Sequence, residues 1–237
     1  MTSESPPPFS DKDKIKMLLW GDRHCCLCGK TCDTNIVIHH IRKTGRNLSD
    51  IDNGIPLCFD CHGRIGSYNL EHPVGTSYRI EEIKRRRDQI YENHTRHLVP
   101  PIHFEITQIV RKDPRLPMRK FPDVGFNIIH CGSSFLPVKA RVEVKHVLGG
   151  KDLGVMKDRN DYYSGEVEWH LNPTTTIFGH FSVPKECTKS AKDLKIEVRV
   201  TIIDQYEREH QYLTQCWTYV RKDNYWFLEP RTFTKWT

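Results

Sequence analysis

Two pairs of cysteines have the spacing of a metal-binding knuckle. Cys25 and Cys28 are separated by two residues, and so are Cys58 and Cys61. A two-residue gap lets one turn of the chain direct both sulfurs at a single ion, and four thiolates complete the tetrahedral shell of a structural zinc ion. The alternative is a group of buried free thiols, which the repeated spacing disfavours. We therefore expect one structural zinc, closed to water and substrate, that holds the two pairs together.

Two further cysteines in the same region complicate this assignment. Cys28 and Cys32 could pair through a three-residue gap, and Cys26 lies directly beside Cys25. The two-residue gap matches the second pair better, because that pair also has two intervening residues. Cys26 and Cys32 are therefore expected to be bystanders of the zinc site.

The histidines between the two cysteine pairs have no use in a four-cysteine zinc site. His39 and His40 follow the apolar residues 36–38, which predict a short buried strand. Neighbouring side chains of a strand point to opposite faces, so one histidine could face a metal ion while the other faces a substrate. The alternative is one core histidine and one surface histidine. Their position between two knuckles, before an asparagine and a third histidine, favours the functional interpretation.

This segment resembles the HNH endonucleases of the ββα-metal fold. The resemblance rests on IHHI at 38–41, DNGIPLC at 52–58 and CFDCHG at 58–63, and it covers roughly residues 23–97. The stretch at 68–91 also resembles the tail of bacterial members with this core. Two cysteine pairs, a His-His pair, an asparagine and a Cys-His pair in this order form a specific combination.

The resemblance implies roles for four residues. His40 matches the general base of the family, which activates water for phosphodiester cleavage. His39 and His62 match its ligands of a catalytic metal ion. Asn53 matches the residue that orients the loop bearing the base. The resemblance therefore implies a metal-dependent DNA endonuclease.

One position departs from the family pattern. Many relatives have a further His, Asn or Lys one helical turn after the helix histidine, whereas this chain has Gly66 there. The site therefore has at most two clear protein ligands, unless Asn69 or His72 folds back to replace the third. For so sparse a site, magnesium or manganese is expected rather than zinc.

Basic residues accompany the expected chemistry, and we expect them to contact DNA phosphates without reading the base sequence. They are Arg42, Lys43 and Arg46 in a glycine-containing loop after the histidine pair, and Lys84, Arg85 and Arg86 on a predicted helix within 77–97. For the helix, the alternative is a solvated face whose charges pair with acidic neighbours. Those neighbours are Glu81, Glu82 and Asp88.

The proline pair at 100–101 ends this helix and divides the chain. We expect an N-terminal tail and short helix over 1–22 and the nuclease domain over 23–99. Over 102–237, runs such as LKIEVRVTII at 194–203 alternate apolar and polar residues. This alternation predicts about eight strands of an antiparallel β-sandwich. The expected fold class is therefore α+β, a small zinc-braced ββα-metal domain followed by a β-sandwich domain.

The N-terminal stretch MTSESPPPFS lacks the basic start and apolar run of a secretion signal. No segment approaches the roughly 20 consecutive apolar residues of a membrane span. Six of the nine cysteines lie between Cys25 and Cys61, which favours metal binding under reducing conditions over a disulfide framework. We therefore expect a cytoplasmic protein without membrane association.

The formal net charge of +6 is compatible with a nucleic-acid partner but too small to prove one. The C-terminal domain could select the DNA target, bind a protein partner or form a homo-oligomer, and a sandwich fold does not decide among these. The alternative for the whole chain is a non-catalytic zinc-clamped module that binds nucleic acid or protein. His39, His40 and His62 favour the endonuclease.

Overall fold

The computed structural model describes residues 6–65, 78–109, 123–149, 151–155, 168–181, 194–220 and 225–229 of the chain. The contacts divide the chain into two compact units. Unit 1 contains Met1–His97 together with the short segment Tyr206–Arg208. Unit 2 contains Leu98–Gln205 and Glu209–Thr237. Within the described ranges, no helix is both long enough and apolar enough to cross a membrane.

Unit 1 is mostly helical, with one small antiparallel sheet. Its elements, in chain order, are α1 (Asp11–Trp20), β1 (Ile36–His40), a 3-10 turn (Ile51–Asn53), β2 (Gly54–Cys58), α2 (Phe59–Ile65) and α3 (Ile80–Thr95). A second 3-10 turn (Arg96–Leu98) follows α3, where the chain passes from unit 1 into unit 2. Ser10 caps α1, because its hydroxyl oxygen accepts a hydrogen bond of 3.1 Å from the Asp13 backbone N–H.

Strands β1 and β2 pair in register from Ile36 opposite Cys58 to His40 opposite Gly54. Helices α1 and α3 both pack on β2, which is fully buried. Met17 of α1 lies so close to Gly54 that a side chain at residue 54 would collide with its thioether. The β1 strand forms as predicted, but all five of its residues are only half-buried because the two helices cover β2.

Unit 2 consists of antiparallel strands. They are β3 (Ile102–Ile109), β4 (Asp123–His130), β5 (Val138–Leu148), β6 (Lys151–Val155), β7 (Glu168–Leu171), β8 (Thr176–Phe181), β9 (Leu194–Ile203), β10 (Glu209–Val220) and β11 (Tyr225–Leu228). One sheet has the order β11-β10-β9-β5-β6, with β7 also paired to β5, and the other has the order β3-β4-β8. The prediction of antiparallel sheets after the proline pair is therefore confirmed.

The two sheets of unit 2 share one apolar core. The alternating apolar residues of β9 are all fully buried: Leu194, Ile196, Val198, Val200 and Ile202. Phe126 from the three-stranded sheet belongs to the same cluster and stacks on Phe104 and Phe181. The period-two pattern of the sequence thus marks the strand faces that build this core.

Candidate active site

The four predicted zinc ligands lie together in unit 1. The sulfur atoms of Cys25, Cys28, Cys58 and Cys61 all lie within 4.8 Å of one another. The Cys28 and Cys58 sulfurs, one from each pair, are 3.9 Å apart. Two sulfurs that are each about 2.3 Å from a tetrahedral zinc ion are about 3.8 Å apart. The cluster could therefore hold a structural metal ion such as zinc.

Local backbone geometry builds each pair. Gly29 adopts a φ of 72°, and its N–H donates to the Cys25 carbonyl at 2.8 Å, which closes the first turn. The Cys26 N–H donates to the Pro56 carbonyl at 2.9 Å and so ties this turn to β2. The second pair spans the end of β2 and the first turn of α2, where the Cys61 N–H lies 3.4 Å from the Cys58 sulfur.

The close packing of the sulfurs shifts the pKa values of three of the four cysteines. Burial raises the pKa of Cys25, but backbone N–H groups of Cys28, Cys58 and Leu27 together lower it to about 7. Burial raises the pKa of Cys28, against the opposite effect of the Lys30 backbone N–H, and burial followed by the neighbouring sulfurs raises the pKa of Cys61. Ionisation of all four neighbouring thiols together would require a central positive charge, which a divalent ion would supply.

Cys26 and Cys32 are buried but do not belong to this group of four. The Cys32 sulfur lies 3.1 Å from the Lys30 carbonyl, and the Cys26 sulfur lies 3.9 Å from the His24 carbonyl. Burial raises the pKa of both thiols. They therefore behave as neutral side chains of the core of unit 1.

His39 and His62 approach each other from β1 and α2. Their ring centroids are 5.0 Å apart and the rings are nearly perpendicular, at 78°. Burial, and then the neighbouring charges of His62, Lys43 and His40, lower the pKa of His39 to about 4. His39 is therefore neutral at pH 7, which is the form that binds a metal ion.

No third ligand joins this histidine pair among the residues that the structure describes. Within that part of the chain, no Cys, His, Asp or Glu completes a group of three with His39 and His62. The positions considered for a third ligand, Gly66, Asn69 and His72, lie outside the described residues. Two imidazoles would leave most coordination positions of an ion open to water and phosphate oxygens.

His40, on the opposite face of β1, contacts the segment before α1. Its Nε2 lies 3.0 Å from the Pro7 carbonyl oxygen, and its ring stacks on Phe9 with centroids 4.1 Å apart at 17°. A carbonyl oxygen only accepts, so Nε2 donates and the Nδ1 of the neutral ring has a free lone pair. Neither contact was predicted, since Pro7 and Phe9 lie more than thirty positions away in the sequence.

Asn53 joins the end of β1 to the start of β2. It is 1% exposed, and its side-chain oxygen accepts from the Arg42 N–H at 2.8 Å. Its side-chain nitrogen donates to the carbonyls of Arg42 at 3.0 Å and Leu48 at 2.8 Å. The amide therefore fixes the loop that follows His40.

Arg87 of α3 supports the backbone on both sides of Asn53, a role that the sequence analysis missed. Its guanidinium is buried and donates to the carbonyls of Asp52 at 2.7 Å and Gly54 at 3.3 Å. The only sequence signal is that Arg87 lies on the apolar stripe of α3, where a charged side chain requires buried partners.

The predicted DNA-contacting residues occupy the loop after β1 and one side of α3. Lys84 is half-buried, and the other five are exposed: Arg42, Lys43, Arg46, Arg85 and Arg86. Within the described ranges none of the six forms an ion pair. Asp88 pairs with Arg87 at 2.8 Å, and phosphate contact by Lys84, Arg85 and Arg86 stays a prediction.

Comparison with known proteins assigns the chain to no family. No protein-family model matches the sequence. A search of curated proteins also finds no match.

Proposed function

We propose that this chain is a metal-dependent HNH endonuclease that hydrolyses phosphodiester bonds in DNA, with a ββα-metal nuclease domain in unit 1. One observation carries the proposal. The last two residues of β1 meet different partners on opposite faces of the strand, His39 with His62 and His40 with Pro7 and Phe9. Phosphodiester hydrolysis needs a metal ion and a general base, and the separate partners of His39 and His40 suit these two roles.

His39 and His62 would hold the catalytic divalent ion, magnesium or manganese. When bound, such an ion neutralises charge on the scissile phosphate and on the leaving oxygen. His39 is half-buried and His62 is exposed, so the pair is open to solvent on the α2 side. The remaining coordination positions are therefore available to a DNA phosphate.

His40 would act as the general base. Its neutral ring takes a proton at Nδ1 from the attacking water while Nε2–H donates to the Pro7 carbonyl. The water oxygen bonds to phosphorus as the bond from phosphorus to the leaving oxygen breaks. The carbonyl stabilises the positive charge that develops on the imidazole, and Phe9 holds the ring plane. General-base catalysis of this kind contributes about 10²–10⁴-fold.

The loop after His40 would bind the DNA backbone. Arg42, Lys43 and Arg46 are exposed, and Asn53 fixes the Arg42 backbone next to the base. Such contacts give affinity without sequence preference. In this proposal unit 2 serves target or partner recognition, through DNA, a protein partner or a second copy of the chain.

A second candidate is a zinc-clamped module that binds nucleic acid or protein without cutting it. It needs only the cysteine cluster, whose four sulfurs lie within 4.8 Å of one another. This binding module, however, would have no use for the contacts of Pro7 and Phe9 that orient His40.

The test is cleavage of plasmid DNA by the full-length protein with magnesium or manganese. The wild type is expected to nick or cut the plasmid, and chelation should stop the reaction. His40→Ala should lose about 10²–10⁴-fold in rate while keeping its zinc and its DNA affinity. His103→Ala, which removes an exposed histidine of β3, is the matched control and should cleave normally.

His62→Ala should behave differently from His40→Ala, because it weakens metal binding. Raised magnesium or manganese is expected to restore part of its activity. A wild-type protein that binds DNA but cuts no DNA form with either metal would support the binding module. Full activity in His40→Ala would exclude His40 as the base.

A further inference from the structure

A second group of metal-binding side chains lies in unit 1, outside both the cysteine cluster and the histidine pair. One ligand atom each from Asp22, His24 and His94 lies within 4.8 Å of the others. The Asp22 Oδ2 atom is 3.7 Å from His94 Nδ1 and 3.9 Å from His24 Nδ1. The two imidazole rings stack with centroids 4.1 Å apart at 29°.

We propose that Asp22, His24 and His94 bind a divalent transition-metal ion such as zinc, nickel or cobalt. Two imidazoles and one carboxylate suit such ions better than calcium or magnesium, which prefer oxygen ligands. Ligand atoms about 2.1 Å from one ion are roughly 3.0–3.4 Å apart. The two distances from Asp22 therefore need to shorten by less than about 1 Å on binding, and the ligand nitrogens of His24 and His94, which lie within 4.8 Å of each other, by less than about 2 Å.

The chain brings these residues together from two helices. Asp22 and Arg23 follow α1 with left-handed φ angles of 45° and 51°, which turn the chain sharply before His24. His94 lies in the last turn of α3. An ion at this site would therefore join the segment that enters the first cysteine pair to the end of α3.

The hydrogen bonds of His24 are compatible with an ion on Nδ1. Without an ion, Nδ1 lies 2.7 Å from the Asp22 carbonyl and 3.2 Å from the Gly21 carbonyl, contacts that an ion on Nδ1 would replace, and Nε2 lies 2.9 Å from the Thr31 hydroxyl. When an ion replaces the proton on Nδ1, the neutral ring has its proton on Nε2. Nε2 then donates to Thr31, which orients the ring as outer partners of metal-binding histidines do.

The other two ligands are also suited to the ion. Burial and then His24 lower the pKa of His94, against the opposite effect of Asp22. The Asp22 side chain is 74% exposed, compared with 18% for His24 and 26% for His94. A hydrated ion can therefore reach the site, and water can complete its coordination.

This inference goes beyond the nuclease proposal and does not depend on it. The test uses the full-length zinc-loaded protein carrying His62→Ala, so that the His39–His62 pair cannot bind the added metal. Isothermal titration with zinc or nickel chloride is expected to show one further ion per chain. Adding His94→Ala should weaken that binding by at least about tenfold, since even outer partners of metal ligands contribute about 10–100-fold.

Two further variants sharpen the test. His97→Ala, which changes an exposed histidine just after α3, is the matched control and should bind like the parent. Thr31→Val removes only the expected partner of His24 Nε2 and should weaken binding about 10–100-fold. Because Thr31 is exposed, this variant keeps the test decisive if His94→Ala fails to fold.

Zinc content and circular dichroism report whether each variant is folded. Absence of a further ion in the His62→Ala protein would overturn the proposal. Unchanged affinity in folded His94→Ala, or in Thr31→Val when His94→Ala does not fold, would overturn it equally.

Discussion

Unit 1 and unit 2 depend on different stabilising interactions. Among the described residues, the core of unit 2 contains seventeen buried residues, all apolar or aromatic, supplied by paired strands. The core of unit 1 contains ten, and four of these are cysteines. A core of that size rarely stabilises a domain alone, and natural proteins of this kind add metal ions or disulfides. Unit 1 should therefore depend on its metal, whereas unit 2 should not.

The comparison also separates stability from chemistry. In unit 1, buried polar side chains such as Asn53 and Arg87 bind backbone groups next to the candidate site. In unit 2, the buried pair Asp204 and His210 joins β9 to β10 through a hydrogen bond of 2.9 Å. The buried polar side chains of unit 1 thus fix the backbone around the end of β1 and the start of β2, and those of unit 2 connect strands.

Among the changes considered, loss of the structural zinc should have the largest effect on folding. Cys58→Ser is expected to unfold unit 1 and leave the strands of unit 2 intact, because zinc binding by such sites contributes on the order of 10 kcal/mol to folding. Zinc content, circular dichroism and limited proteolysis measure this. Cys32→Ser changes a buried cysteine outside the cluster and should keep its zinc. Rapid alkylation of Cys25 and Cys61 in the folded wild type would contradict the zinc site.

A substitution that creates a cavity in the core of unit 2 should have the next largest effect, and it should leave unit 1 unchanged. Phe126 is 1% exposed and contacts three other aromatic rings, so Phe126→Ala should lower the free energy of unfolding of unit 2 by about 3–5 kcal/mol. Zinc content and plasmid cleavage should not change. Phe178→Ala is the control, since Phe178 is 74% exposed. Loss of zinc in Phe126→Ala would show that the units are not independent.

Removal of one buried amide should have a smaller effect. Asn53→Ala leaves the polar backbone groups of Arg42 and Leu48 without their partners, at about 1–3 kcal/mol each. Unit 1 should keep its zinc but lose stability, and cleavage should fall because the loop after His40 is displaced. Chemical denaturation and plasmid cleavage measure the two effects. Asn93→Ala, at an exposed position of α3, is the control and should match the wild type in stability and cleavage. If Asn53→Ala behaves like Asn93→Ala in both measurements, Asn53 does not support the candidate site.

The smallest expected change concerns the ring that stacks on His40. Phe9→Leu keeps an apolar side chain but removes the stacking, which is worth about 0.5–1.5 kcal/mol. Cleavage should fall by about two- to tenfold at unchanged zinc content. Ile15→Leu, at an exposed position of α1, is the control. An unchanged rate in Phe9→Leu would limit the role of Phe9 to packing.

The sequence predicted features that depend on local spacing. The gaps within the cysteine pairs define which sulfurs converge, and the alternation of β9 defines its buried face. The opposite orientations of His39 and His40 follow from strand geometry. The proposed roles of the histidines came from the resemblance, and they stay predictions.

Features that depend on distant contacts were not predictable. The Pro7 carbonyl meets His40 across 33 positions, and no spacing rule connects them. Asp22 and His94 lie near each other only because α1 and α3 pack together. Arg87 gave a weak signal, since one charged residue on an apolar stripe is also compatible with a helix edge. Such contacts come from tertiary packing, which a single sequence does not encode locally.

The hydrogen bonding of Asn53 has a consequence for the chemical ageing of the protein. Asn53 precedes Gly54, and asparagine before glycine deamidates readily because no side chain hinders attack by the glycine nitrogen. In the folded protein, three hydrogen bonds to Arg42 and Leu48 hold the amide away from that attack. Unfolding releases it, and the aspartate or isoaspartate product has only acceptors where two donors are needed. Prolonged heating should therefore damage the loop irreversibly, and mass spectrometry of the peptide around Asn53 would detect the conversion of amide to acid.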